Sequence, residues 1–181
     1  PRSLADRLDL AVGETLTLLG AELNLEGVGV DMAGIDLPVT LKRPDRLLAT
    51  VPAALAAGNL LSAGSHPIAV KQKLPTGRTR TSVPLLGRLL PRLDTAVPSG
   101  VVPISASPGA PVRGVIDMTG ILLSTANDST FVGLADAVSG RIVRIFDVFT
   151  RPVPNQTQLR LTVTTTQAVP PAFYRVILRV N

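Results

Sequence analysis

This chain has few residues that could do chemistry. There is one histidine, His66, no cysteine, and thirteen carboxylates among 181 residues. Without thiols there are no disulfides, thiolate nucleophiles, iron–sulfur clusters or cysteine-ligated zinc. A single histidine removes a two-histidine metal site within one chain. His66 follows serine in Ser62-Ala-Gly-Ser-His66. A nucleophile elbow needs Gly-x-Ser-x-Gly at a strand-to-helix turn, and here His66-Pro67 follows the serine instead. Adjacent residues rarely bring a hydroxyl and an imidazole into working geometry, so His66 reads as a turn or strand-edge residue. Asp31 and Asp117 each precede Met-x-Gly inside strand patterns. A glycosidase pair must face across a cleft, with aromatics to stack the sugar. Four Phe, one Tyr and no Trp do not supply that platform, so both carboxylates read as solvent-facing or turn-capping. Asp128 and Asp136 flank Phe131. Calcium wants oxygen ligands at alternating positions around a glycine turn, and Asn127-Asp128-Ser129 is too short a set; Asx-type turns are the reading. Asn127-Asp-Ser129 and Asn155-Gln-Thr157 match glycosylation acceptors and read as chance matches. No catalytic, cofactor or metal residue is assigned, and the chain is expected not to be an enzyme.

The cations are more informative. Residues 1–45 hold eight acids and four bases, residues 46–93 seven bases and no acid, and residues 94–181 five acids and seven bases. The basic block is Arg46, Lys71, Lys73, Arg78, Arg80, Arg88 and Arg92. Fifteen of the eighteen bases are arginine, which suits planar bidentate contacts to carboxylate or phosphate. The block contains no Phe, Tyr or Trp to stack bases, so nucleic acid is not expected as a partner. Lys71, Lys73, Arg78, Arg80, Arg88 and Arg92 are the candidate protein-docking residues, against the alternative of a solvated face.

The elements that must position these groups are strands. Thr15–Leu19, Gly27–Met32, Leu47–Pro52, His66–Gln72, Gly114–Thr119, Arg141–Phe146, Gln158–Thr164 and Phe173–Val180 carry apolar alternation or short β-branched runs closed by Gly or Pro. Lys71 to Arg80 reads as a long hairpin turning at Pro75-Thr76-Gly77. Phe173–Val180 is read as closing its own sandwich rather than augmenting a neighbour's sheet. Helix signals are confined to a turn or two at Pro52–Gly58 and a short turn near Ala135–Ser139. Pro91, Pro98, Pro103, Pro108 and Pro111 crowd one stretch, which reads as linker plus edge strands. It divides the chain into 1–93 and 94–181. The halves resemble a degenerate repeat, with Ser124–Gly140 inserted as a loop in the second. Strands at this spacing predict an all-β chain of two tandem immunoglobulin-like β-sandwiches.

Particular residues carry a resemblance. Leu10-Ala-Val-Gly-Glu-Thr-Leu-Thr-Leu-Leu-Gly-Ala-Glu-Leu23, Val28-Gly-Val-Asp-Met-Ala-Gly34 and Thr50-Val-Pro52 resemble an IPT/TIG-type immunoglobulin-like module. Leu55-Ala-Ala-Gly58, His66-Pro-Ile-Ala-Val70 and Tyr174-Arg-Val-Ile-Leu-Arg-Val-Asn181 are similar to the C-terminal part of cap, or tail-terminator, proteins of extracellular contractile injection systems of the Photorhabdus virulence cassette type. The resemblance covers residues 10–85 and 110–181. In that family such modules follow a tube-capping domain, and nothing in this sequence looks like one.

The resemblance implies a non-enzymatic structural module near the cap of a phage-tail-like particle. Its partners would be copies of itself in a ring and other tail or sheath proteins, with no cofactor. It implies assembly in the cytoplasm and release as, or within, a particle. Pro1-Arg-Ser-Leu-Ala-Asp-Arg7 lacks the basic head and apolar segment of a secretory signal. No apolar run is long enough for a membrane span. The alternatives are a stand-alone adhesion or carbohydrate-binding module, which predicts an exposed aromatic or metal site, and a capsid or filament decoration protein.

Overall fold

The structure, a computed structural model, describes residues 3–5, 9–53, 61–125, 128–151 and 156–180. Most of the helical turn expected over 52–58, and the acceptor residues Asn127 and Asn155, lie outside the described residues. The chain is all-β, with one 3-10 turn at Thr165–Gln167 and no α-helix among the described residues. Among the described residues no helix is long and apolar enough to cross a membrane. The chain divides into two compact units, residues 1–55 with 64–90 and residues 56–63 with 91–181. The sequence suggests one boundary at 93/94, whereas the units part at 90/91 and a short internal piece joins the second.

The first unit has two sheets. One runs β1 (Ser3–Ala5), β3 (Thr15–Gly20), β7 (Arg46–Thr50) and β6 (Val39–Arg43) in spatial order. The other runs β2 (Asp9–Leu10), β10 (Leu85–Leu89), β8 (Gly64–Lys73), β4 (Val28–Met32) and β5 (Ile35–Leu37), with β9 (Thr79–Thr81) paired to β8. All pairs are antiparallel except β2 with β10. Alternation puts one face of each strand inside. Leu16 and Leu18 of β3, Leu47 and Ala49 of β7, Val30 and Met32 of β4, and Ile68 and Val70 of β8 are all buried. Gly27, at φ +71°, lies so close to β8 that an added Cβ would stand 2.1 Å from the Lys73 carbonyl oxygen. The turn at 75–77 forms as expected, with Leu74 N donating to Arg78 O and Gly77 N to Leu74 O.

The second unit has sheets of three strands each. One is β11 (Arg92–Pro103), β12 (Val112–Ile121) and β15 (Gln158–Val163); the other is β14 (Ile142–Phe146), β13 (Thr130–Asp136) and β16 (Tyr174–Val180). Their inner faces share a core of Met118, Val132, Leu134, Phe146, Leu159 and Leu161, among others. Two expectations need correction here. Of the reading as linker plus edge strands only the edge strand is seen over 92–103: β11 has twelve residues, and register shifts at Leu93/Thr95 and Ser99/Val102 absorb its irregularity. The supposed inserted loop contains β13, the central strand of its sheet. The expected repeat is not reproduced strand for strand, since among the described residues the first unit has ten strands and the second six.

Leu161 is fully buried on β15, whereas Val176 on β16 is half-buried. Leu161→Ala should therefore lower the unfolding free energy by about 2–4 kcal/mol, as cavity-forming changes do. Val176→Ala should cost about 1 kcal/mol or less, because less apolar area leaves water there. Urea unfolding of both variants checks the contrast; equal losses would mean that β16 is packed as tightly as β15.

Candidate functional site

The six candidate docking residues do not share one surface. Lys71 and Lys73 stand on β8, opposite Thr81 and Thr79 of β9. Lys71 Nζ lies 2.6 Å from Asp31 Oδ2, so its charge serves a carboxylate in its own sheet. Arg78 sits past the hairpin turn and Arg80 on β9 opposite Gln72; both are exposed. Arg88, on β10, forks onto Asp9 of β2 at 3.0 and 3.2 Å. Arg92 belongs to the second unit and pairs with Asp94 at 2.8 Å. The structure thus puts Lys73, Arg78 and Arg80 on one exposed hairpin, with Lys73 and Arg80 on opposite faces of it, and sets Arg88 and Arg92 apart in local ion pairs. Such exposed pairs add little to stability.

The carboxylates have structural partners. Asp31 was expected to face solvent or cap a turn; it is buried, and its Oδ1 accepts from Gly34 N at the turn that joins β4 to β5. Asp117 is half-buried and holds Arg160 across β12 and β15 at 2.6 and 3.2 Å. That fork holds the Arg160 guanidinium above its ordinary pKa, by hydrogen bond first and by charge second. Asp136 Oδ1 accepts from Val138 N, Ser139 N and Ser139 Oγ, an Asx-type turn after β13. Those donors, Ser139 foremost, hold its carboxyl below the usual carboxylate range. Asp128 Oδ2 accepts from Thr125 N. His66 is a half-buried strand residue opposite Gly87.

The two sheets of the second unit show different outer faces. On β11, β12 and β15 the outer rows are Thr95, Thr119 and Gln158, then Val97, Asp117 and Arg160, a largely polar surface. On the other sheet Ile145, Gly133 and Ile177 form one row, with Phe131 beside Arg179 and Ala135 beside Arg175 in the next. Ile145, Ile177 and Phe131 are exposed there.

Between the sheets lies a cavity of about 400 Å³. Ala96 and Pro98 of β11, Val112 and Ile116 of β12, and Tyr174 and Val176 of β16 line it. Of the inward residues of β16, Tyr174, Val176 and Leu178 are only half-buried and Val180 is buried, while Val132 and Leu134 of β13 and Leu159, Leu161 and Val163 of β15 are buried. The interior is therefore open along the β11 and β16 side. Phe173, at 89% exposed, stands on its rim. Tyr174 Oη donates to Pro170 O at 2.5 Å. Burial raises its phenol pKa above the ordinary value, and the negative Asp136 opposite it on β13 adds to the rise. The signal for this seam was legible only in part: Arg175-x-Ile177-x-Arg179 marks an outer face, but nothing local says that the inner face lacks a cover.

No family model matches the chain, and no curated protein matches it. A solved structure described as the Bacteroides ovatus mixed-linkage glucan utilization locus SGBP-B, in complex with a mixed-linkage heptasaccharide, is similar at 12% identity and a TM-score of 0.34. The likeness covers 96% of this chain and 51% of that one, so the chain spans about half of that structure's length. At that level it carries no statement about what this chain binds.

Two outcomes follow from these contacts. Reversing Arg78 and Arg80 to Glu should change stability by less than about 0.5 kcal/mol, as exposed substitutions do. Lys71→Met strands the buried Asp31 and should cost about 1–2 kcal/mol, less than for a fully buried pair because Lys71 is partly exposed. Thermal melts with van't Hoff analysis distinguish the two. Tyr174 is the single tyrosine, so phenolate absorbance reports it alone. Its titration midpoint should lie above 10 in the folded chain, near 10 in urea, and partway back in Asp136→Asn. A raised phenol value means the neutral form is favoured by the fold. That contribution is complete below pH 10 and is lost as pH rises through the folded value.

Proposed function

We propose that the chain is a non-enzymatic interaction module that offers sheet edges and hairpins to neighbouring protein subunits. The observation that carries this reading is the seam of the second unit. Its cavity is lined almost entirely by aliphatic groups, with Arg113 and the Tyr174 hydroxyl as its charged and polar side chains. General acid–base chemistry needs positioned titratable groups, and sugar recognition needs convergent hydrogen-bonding groups beside a stacking ring. Phe173 supplies a ring, but the Tyr174 hydroxyl is engaged by Pro170 and no carboxylate or amide lines the space. Exposed aliphatic surface beside arginine is the composition of a protein interface.

The resemblance in residues 10–85 and 110–181 supports a narrower placement: a module near the cap of a phage-tail-like contractile injection particle, touching copies of itself and other tail proteins. In a ring each copy meets the next through two different surfaces, and the Lys73, Arg78 and Arg80 hairpin is suited to meet an acidic neighbour. Electron microscopy of native particles bearing a label on this chain tests the placement. Label density confined to one end of the particle is the expected result. Unlabelled particles, or label spread along the sheath, would refute it. Arg78→Glu with Arg80→Glu should reduce end labelling and remove its salt dependence; unchanged labelling would exclude the hairpin as the contact.

A further inference from the structure

We propose that the loop end of the second unit seats shallowly on an anionic lipid surface, with Ile104, Val138 and Phe173 entering the hydrocarbon boundary and Arg113, Arg141 and Arg175 meeting the headgroups. The proposal goes beyond the protein-docking reading and does not depend on it.

Topology gathers three connections at that end. β11 finishes at Pro103 and β12 begins at Val112; β13 finishes at Asp136 and β14 begins at Ile142; β15 finishes at Val163 and β16 begins at Tyr174. Backbone hydrogen bonds tie the three together. Val112 and Val169 exchange bonds at 2.7 and 3.1 Å, Ala137 N donates to Phe173 O at 2.9 Å, and Ile104 N donates to Pro111 O at 2.9 Å. The tips are thus braced against one another.

Their side chains are apolar and face water. Among the described residues, Val138 at 96% and Phe173 at 89% are the most exposed large apolar side chains, and they meet here. Val101, Val102 and Ile104 are exposed on the adjoining hairpin. No charged residue occurs in 95–112, 137–140 or 161–174. Clustered apolar exposure of this kind marks a protein or membrane contact. A loop that enters an apolar medium strands its N–H groups, and Pro103, Pro108, Pro111, Pro170 and Pro171 carry none.

Charge selects the lipid. Arg113 is the second residue of β12, Arg175 the second of β16, and Arg141 directly precedes β14. All three are exposed, and among the described residues none is in an ion pair. Of the unit's acids, Asp136 alone stands at this end, and it is committed to the Ser139 turn. Asp117 lies midway along β12, and Asp94, Asp128 and Asp147 lie at the opposite ends of their strands. An arginine stem can lie along an apolar layer while its head reaches phosphate. Apolar tips outermost, guanidinium groups behind them and carboxylates remote match an anionic membrane met from its hydrocarbon outward. A protein neighbour wants a closely packed core with paired polar groups around it, and three convex tips whose side chains touch little of their own chain do not offer that.

The test uses the full chain with vesicles of phosphatidylcholine alone and of phosphatidylcholine mixed with phosphatidylserine. The chain has no Trp, so Phe173→Trp places a single reporter on the tip, and Val83→Trp, at an exposed position of the first unit, is the control. On the mixed vesicles the Phe173→Trp emission should move to the blue and be quenched by brominated acyl chains, and the control should do neither. Val138→Asp, an exposed change whose melts should match the parent, should weaken vesicle binding about tenfold, because apolar area then stays in water. Arg113→Gln with Arg175→Gln should weaken it about 25-fold, roughly fivefold for each arginine at an anionic surface. Binding should also fall as salt rises. Equal binding to both vesicle types, or no emission shift at the tip, overturns the proposal. So does a shift of the control alone, because the basic hairpin would then hold the lipid. Loss of particle end labelling in Val138→Asp with no vesicle binding by the parent overturns it as well, since the loop end would then belong to a protein neighbour. Vesicle binding without end labelling sinks the particle placement and leaves the lipid contact standing.

Discussion

Short aliphatic side chains must fill an interior that aromatic rings usually fill, and the rest of the structure depends on that constraint. With few rings in the sequence, facing backbones have to come close for Leu, Val and Ile to meet. Glycine permits the approach. An added Cβ at Gly120 would stand 2.0 Å from the Arg92 carbonyl oxygen, and one at Gly87 2.3 Å from Ile68 Cδ1. These positions pin β11 against β12 and β10 against β8, and with them the registers that decide which residues face inward. Phe146 is the one aromatic in the buried core of the second unit. Around it Val132, Leu134, Leu159 and Leu161 close completely, and toward β11 and β16 the supply of bulk runs out.

That shortfall links packing to function. Among the described residues the interior is covered incompletely there, which leaves apolar surface beside a strand edge. Arg175 and Arg179 guard it with charge. The polar rows over β12 and β15 have no comparable demand: Thr95 and Thr119 satisfy each other at 2.7 Å, and Asp117 engages Arg160. One sheet of the unit is thus finished toward water, and among the described residues the other shows exposed Ile145, Ile177 and Phe131.

Local sequence carried the elements whose signal is periodic. The strict alternation of Gln158–Val163 and Tyr174–Val180 is read directly as one face in and one face out. The Pro75-Thr76-Gly77 turn was legible because glycine there takes a positive φ, +79°. Failures came where a local rule met a tertiary one. Proline over 92–103 left both a linker and an edge strand open, and edge position is a property of the assembled sheet. Phe131-Val-Gly-Leu-Ala135 lacks alternation because most of it is buried in mid-sheet, so its strand was hidden behind the turn signals before it.

Charge was legible as a tally but not as geometry. Arg88 and Asp9 are far apart in sequence, so nothing local shows that a third cation of the supposed patch is already engaged. The same holds for Lys71 and Asp31, forty positions apart. The basic stretch is real as composition and is divided among several errands in space. The seam was harder still to foresee, since exposure of an inner face is a property of the assembled sheets.

Residues 61–63 cluster with the second unit, where Gln156 Nε2 donates to Leu61 O at 2.6 Å, although the chain on both sides of residues 56–63 belongs to the first. The second unit is therefore discontinuous in sequence. A single protease cut, or a single recombination joint, at the 90/91 divide would leave part of that unit on the wrong fragment.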